Sequence, residues 1–140
     1  VSPYVLDENT VATSNVGDDL SVVGVLKEKS AIEENTITSG YCFLQMRDGG
    51  PQSHDPILRR AWASFSNPEF TTVTGISGAP VFDEAQKRLC GMVVRGGMTG
   101  DTCEVLYVDA FDIVRLIEAV HAGAESAYYM KSMSIPKRSV

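Results

Sequence analysis

The chain is short of positive charge, of cysteine, of histidine and of long apolar runs, and each shortage excludes something. Its 12 Lys and Arg stand against 18 Asp and Glu, a net charge of −6. No basic stripe is present, which argues against a nucleic-acid partner. No apolar run approaches the length of a membrane span, and no signal peptide is visible. Cys42, Cys90 and Cys103 form an odd, widely spaced set that makes neither a disulfide framework nor a zinc-ligand pattern. Cys42 and Cys90 lie in apolar runs and are expected to be buried thiols, and free thiols favour a reducing compartment such as the cytoplasm. Nothing in the sequence calls for a metal or a cofactor. The first residue is Val rather than Met, which reads as a processed, trimmed or excised piece.

What is present fits one ordinary domain: 140 residues, 44% hydrophobic and 21% charged, long enough for a real core. Short β-rich runs separated by turn signals fill most of it. Strands are expected at Leu20–Leu26, at 36–46 with Gly40 marking a bend or bulge, and at Glu104–Val108. Asp48 to Ser53, with Gly49, Gly50 and Pro51, reads as a loop. Val81-Phe82 and Leu89–Val94 flank the polar run Asp83–Arg88 as a hairpin. Phe111, Ile113, Val114, Leu116, Ile117 and Val120 then give a wide apolar stripe at helical spacing. Asp109 suits its N-cap and Gly123 its C′ position. Residues 1–15 read as a lead-in, 16–122 as the domain, and 123–140 as a flexible polar tail. No internal repeat is visible. Arg59-Arg60 is either a dibasic cleavage site or, as expected here, a salt-bridging pair on a strand end.

One stretch carries chemistry. Thr74-Gly75-Ile76-Ser77-Gly78-Ala79-Pro80-Val81-Phe82 puts a serine in a glycine-flanked turn before an apolar strand. Gly75 can take φ > 0 and aim a backbone N–H at a common point, Gly78 leaves the serine uncovered, and Pro80 fixes φ at the strand start. An exposed hydroxyl beside converging N–H donors is a nucleophile next to an oxyanion hole. An α/β-hydrolase elbow is disfavoured, because Ala79 replaces the last glycine of Gly-x-Ser-x-Gly and strand rather than helix follows.

Three ordered blocks resemble the trypsin-like serine peptidases, particularly their HtrA/Deg branch. Val16-Gly17-Asp18 with Val22-Val23-Gly24 and Thr36–Gly40 looks like the first strands of that family's C-terminal β-barrel. Gly75–Pro80 resembles its Gly-x-Ser-Gly-Gly-Pro motif, with Ala79 for the second glycine. Leu89–Val94 and Val108–Phe111 resemble its returning strand and its closing strand and helix. The resemblance implies an all-β fold: a six-stranded antiparallel barrel, half of a two-barrel enzyme, closed by a C-terminal helix. It implies Ser77 as nucleophile, the N–H groups of Gly75 and Ser77 as oxyanion hole, Val94, Arg95 and Gly96 as the edge that pairs with a polypeptide substrate, and Thr71 near the floor of the specificity pocket. A neutral floor suggests small or apolar side chains, and Arg95 at the rim either favours acidic neighbours or is an exposed strand-edge residue that is only solvated.

The serine also needs a base and an orienting carboxylate. The resemblance places both upstream of Val1, in an N-terminal half-barrel of the same precursor or a separate chain. His54, 23 residues before Ser77, reads as a surface loop histidine, and His121 as a cation at a helix C-terminus. Asp7, Asp18 and Asp19 read as turn or lead-in residues. The expected activity is therefore peptide hydrolysis through an acyl-enzyme. The alternative is a non-catalytic module of the same fold that binds peptides or a protein partner at the strand edge near Val94.

Overall fold

The structure, a computed structural model, describes residues 6–122; the proposed tail and the Gly123 C′ position lie outside the described residues. Six strands and one helix follow in order: β1 (Asp19–Glu33), β2 (Thr36–Pro51), β3 (Leu58–Ser64), β4 (Pro80–Asp83), β5 (Leu89–Thr99), β6 (Thr102–Asp109) and α1 (Ala110–His121). The strands close into an antiparallel barrel in the order β1-β2-β3-β6-β5-β4. It consists of two three-stranded meanders, β1–β3 and β4–β6. One seam joins β3 to β6 and the other joins β1 to β4, where Leu20 pairs with Asp83 and Val22 with Val81. The expected all-β barrel with a C-terminal helix is what the chain forms.

Alternation fixes which residues face inward. Leu20, Val22 and Leu26 on β1, Leu44 and Met46 on β2, Val81 on β4, Val93 on β5, and Val105 and Tyr107 on β6 fill the interior with at most 3% of their surface exposed. The hairpins at Asp83–Leu89 and at Gly100-Asp101 follow their turn residues, and Asp109 caps α1 by accepting from the Phe111 N–H at 2.8 Å. Only the front of the helix docks. Ala110 and Val114 join Val11 in a second small apolar cluster, whereas Leu116 and Val120 remain exposed, so the expected burial of the whole stripe is corrected. Residues 11–14 belong to the body: Val11 bridges to Leu89, and Ser14 is buried.

Other expectations change as well. Asp48 to Pro51 is strand rather than loop, because its glycines form a bulge opposite β3 instead of ending β2. β1 and β2 run on beyond the barrel as an exposed hairpin whose side chains include Ile32 and Ile37. Arg59 and Arg60 do sit at the start of a strand in ion pairs, with Asp48 at 2.8 Å and Glu104 at 2.7 Å. All three cysteines are free, and Cys90 and Cys103 are buried, but Cys42 is only half-buried. Burial pushes the Cys90 and Cys103 thiols up to about 12 and about 11, which makes them inert.

The loop reading of 48–53 missed the main polar feature of the interior. Asp48 has a fully buried side chain and gathers Arg59 (Nη2 to Oδ1 2.8 Å, Nε to Oδ2 3.2 Å), the Gly50 N–H at 2.6 Å, and the hydroxyls of Ser14 and Tyr107. Burial alone would raise its pKa. The donors from Arg59, Ser14, Tyr107 and Gly50 outweigh burial and hold the carboxyl below the usual carboxylate range. Replacing Asp48 with Ala leaves the Arg59 guanidinium unpaired, and chemical denaturation at neutral pH is expected to show a loss of about 3–5 kcal/mol. The depressed pKa gives the sign of the pH dependence. The stabilisation is complete above the unfolded carboxyl pKa near ~4 and is lost as pH falls through the folded value. An Asp48→Asn variant should lack this acid-limb slope, measured as denaturation midpoint against pH.

Candidate active site

Ser77 lies on the long connection between β3 and β4, which links the two meanders. Two buried side chains seat it. Val73 and Ile76 are each 2% exposed and point into the barrel end, and Ala79 is buried behind them. Ser77 and Gly78, between the anchors, are exposed. Burying a residue such as Ile76 stabilises by about 1.5–3 kcal/mol, so the turn is held by its apolar neighbours and its hydroxyl is left outside.

Hydrogen bonds complete the turn. Ile76 N–H donates to Val73 O at 3.1 Å, Gly78 N–H to Val93 O at 2.7 Å, and Ala79 N–H to Ile76 O at 3.0 Å. Among the described residues, none is made by the N–H of Gly75 or of Ser77. These alternate amides are the two that the resemblance assigns to an oxyanion hole, and both residues are exposed. Gly75 is held at φ +101°, and a Cβ there would lie 3.0 Å from Lys27 N and Val25 O. No side chain fits this close approach to β1 without moving backbone.

The Ser77 hydroxyl donates to the Val94 carbonyl at 2.8 Å. That contact marks where β5 loses a partner: its pairing with β4 ends at Met92, and from Arg95 to Thr99 it pairs only with β6. Val94, Arg95 and Gly96 therefore form an exposed edge beside the serine turn, and a Cβ on Gly96 would lie 3.2 Å from both Val73 and Ile76. No ion pair is made by Arg95 among the described residues. It borders a cleft of about 480 Å³ on the outer face of β5 and β6, together with Gln52, His54 and Glu104.

Thr71 is tied to β1. Its N–H and hydroxyl donate to the Glu28 carboxylate at 2.8 and 2.7 Å, and Thr72 N–H adds a third bond at 3.3 Å. The Thr71 hydroxyl, then its amide, hold the Glu28 carboxyl below the usual range. The segment expected to present a neutral floor thus lies against an anion, and Glu28 had no role in the sequence reading. Residues 28 and 71 are too far apart in sequence for any local pattern to join them.

Neither histidine hydrogen-bonds to Ser77. His54 is in the cleft with Arg95, and His121 is in the last turn of α1. Asp7 and Asp18 cap local turns through Asn9 N–H and Asn15 N–H, both at 2.8 Å, and Asp19 lies 3.6 Å from Arg47. Among the described residues, no group of His, Cys, Asp and Glu is arranged to hold a metal ion, and no helix is long and apolar enough to cross a membrane. No protein-family model matches the chain, and no curated protein matches it in sequence.

The geometry separates the turn's two key residues in a measurable way. Ser77→Ala removes one exposed hydrogen bond and should cost at most about 1 kcal/mol. Gly75→Ala adds a side chain at positive φ against two backbone atoms and should cost about 1–3 kcal/mol. Urea denaturation of the two variants checks this ordering.

Proposed function

We propose that this protein is a serine endopeptidase with Ser77 as its nucleophile. One observation carries the reading: an exposed serine beside two unengaged amides, Gly75 and Ser77, at the point where β5 opens a free edge. An extended peptide would pair with that edge at Val94–Gly96, as peptides add to exposed strands elsewhere. Its carbonyl oxygen would then lie between the two amides, where N–H donors best stabilise the developing negative charge.

Ser77 Oγ attacks the carbonyl carbon while its proton passes to a histidine. The peptide C–N bond breaks as the leaving amine takes that proton, and water hydrolyses the acyl ester to restore the serine. In this reading the histidine and its aspartate belong to a partner half-barrel upstream of Val1. The Ser77 hydroxyl, which now donates to Val94 O, turns to that base when the two halves meet. The trypsin-like class is the finer part of the proposal and the antiparallel barrel its basis. The net charge of −6 argues against a nucleic-acid partner.

The test is a serine-directed fluorophosphonate applied to the full-length protein, with the modified residue located by mass spectrometry. Labelling at Ser77, lost in Ser77→Ala, is the expected result. No labelling in a folded, full-length protein would overturn the enzyme reading. It would favour the non-catalytic peptide-binding module, for which the present Ser77–Val94 bond is the supporting contact.

A further inference from the structure

The exposed β1–β2 hairpin is built to reach the serine connection. Register is lost between Leu26 and Ala31, so residues 27–30 bulge out of the ladder. Ser30 holds the bulge by donating to Leu26 O at 2.8 Å and accepting from Gly40 N–H at 3.0 Å. Residue 40 must be glycine for this shape, since a Cβ there would lie 2.2 Å from Lys29 atoms, one of them backbone. The displaced residues then make the contacts to the serine connection. Lys27 N–H donates to Thr74 O at 2.8 Å, and the Glu28 carboxylate accepts from Thr71 N–H, Thr71 Oγ1 and Thr72 N–H. Four hydrogen bonds thus fasten residues 71–74, the segment immediately before Gly75, to β1.

The Gly75 amide belongs to the peptide unit that begins at Thr74 C=O, and that carbonyl is held by Lys27. Rotating the unit would move the N–H and the carbonyl together, because a peptide is planar. Whatever holds Thr71–Thr74 in place therefore also holds the direction of the Gly75 N–H. Glu28 makes three of the four bonds.

We infer that Glu28 is a positioning residue for the Gly75 oxyanion donor, acting through the 71–74 segment rather than by touching substrate. This inference rests on the reading of Ser77 as a nucleophile. Its carboxylate is an acceptor for three donors, and its charge is not what the role needs. A glutamine can accept from both amides through its carbonyl oxygen and donate to Thr71 Oγ1 through its NH2 group.

Two measurements on the full-length protein test this. By amide hydrogen exchange, Thr71 and Thr72 should exchange several-fold faster in Glu28→Ala and close to the wild-type rate in Glu28→Gln. In peptide hydrolysis, Glu28→Ala should lower kcat by roughly 10-fold with KM unchanged, short of the about 100–1,000-fold that follows outright loss of an oxyanion donor. Glu28→Gln should restore most of kcat, and Glu33→Gln on the same hairpin should match wild type. Wild-type exchange in Glu28→Ala would overturn the anchor itself. An equal kcat loss in the Gln and Ala variants would overturn the positioning role in favour of a charge effect on substrate. Failure of the wild type to label at Ser77, with the exchange result intact, would instead remove the peptidase reading and leave the anchor as a structural tie.

Discussion

A single buried carboxylate ties together the parts of the chain that meet at one end of this barrel. Asp48 reaches four parts of the chain at once: its own β2 bulge through Gly50, β3 through Arg59, β6 through Tyr107, and the segment before β1 through Ser14. The β3–β6 seam between the two meanders lies within this set. A buried charge is costly unless its lone pairs are filled. Here they are filled, and no buried side-chain nitrogen or oxygen among the described residues is left without a partner. The bulge at Gly49-Gly50 serves the same end, since it turns the Gly50 N–H back onto the carboxylate it follows.

The serine turn is held by other means. Apolar anchors at Val73 and Ile76, backbone bonds to Val93 and a carboxylate tie at Thr71 fix it, and none of these involves Asp48. The barrel supplies a rigid rim, and the connection between meanders lies across it. This division explains why Ser77 and its neighbouring amides are exposed in a protein whose interior is otherwise closed. Catalytic and binding groups commonly sit on loops carried by such scaffolds.

Local patterns revealed the parts of this structure that local forces decide. The serine turn, the Asp109 cap and the Asp83–Leu89 hairpin each follow from residues within a few positions of one another, whereas Gly40 answers to a β1 bulge ten residues away. Alternation of apolar residues made most strands of the two meanders visible, although β3 showed only as a strand end at its two arginines. What escaped was long-range. Asp48 looked like a turn residue because glycines and a proline follow it, and its partners at 14, 59 and 107 are assembled only by barrel closure. Glu28 was one acid among many until the β1 bulge set it against Thr71. The turn's own residues suggested a nucleophile beside N–H donors, whereas the expected roles of Thr71 and Val94–Gly96 came only from the resemblance.

The position of the serine on the inter-meander connection has a consequence for how the molecule is made. Each meander consists of neighbours in sequence, whereas the seam that pairs Leu20 with Asp83 spans most of the barrel's length. Contacts of such separation carry a larger loop-closure cost and slow folding. The turn needs both sides of that seam, Lys27 on one and Val93 on the other. A growing or partly folded chain therefore contains Ser77 as an ordinary hydroxyl. The geometry around it comes into being with barrel closure, and only then does the hydroxyl stand beside the Gly75 and Ser77 amides and the Val94 carbonyl.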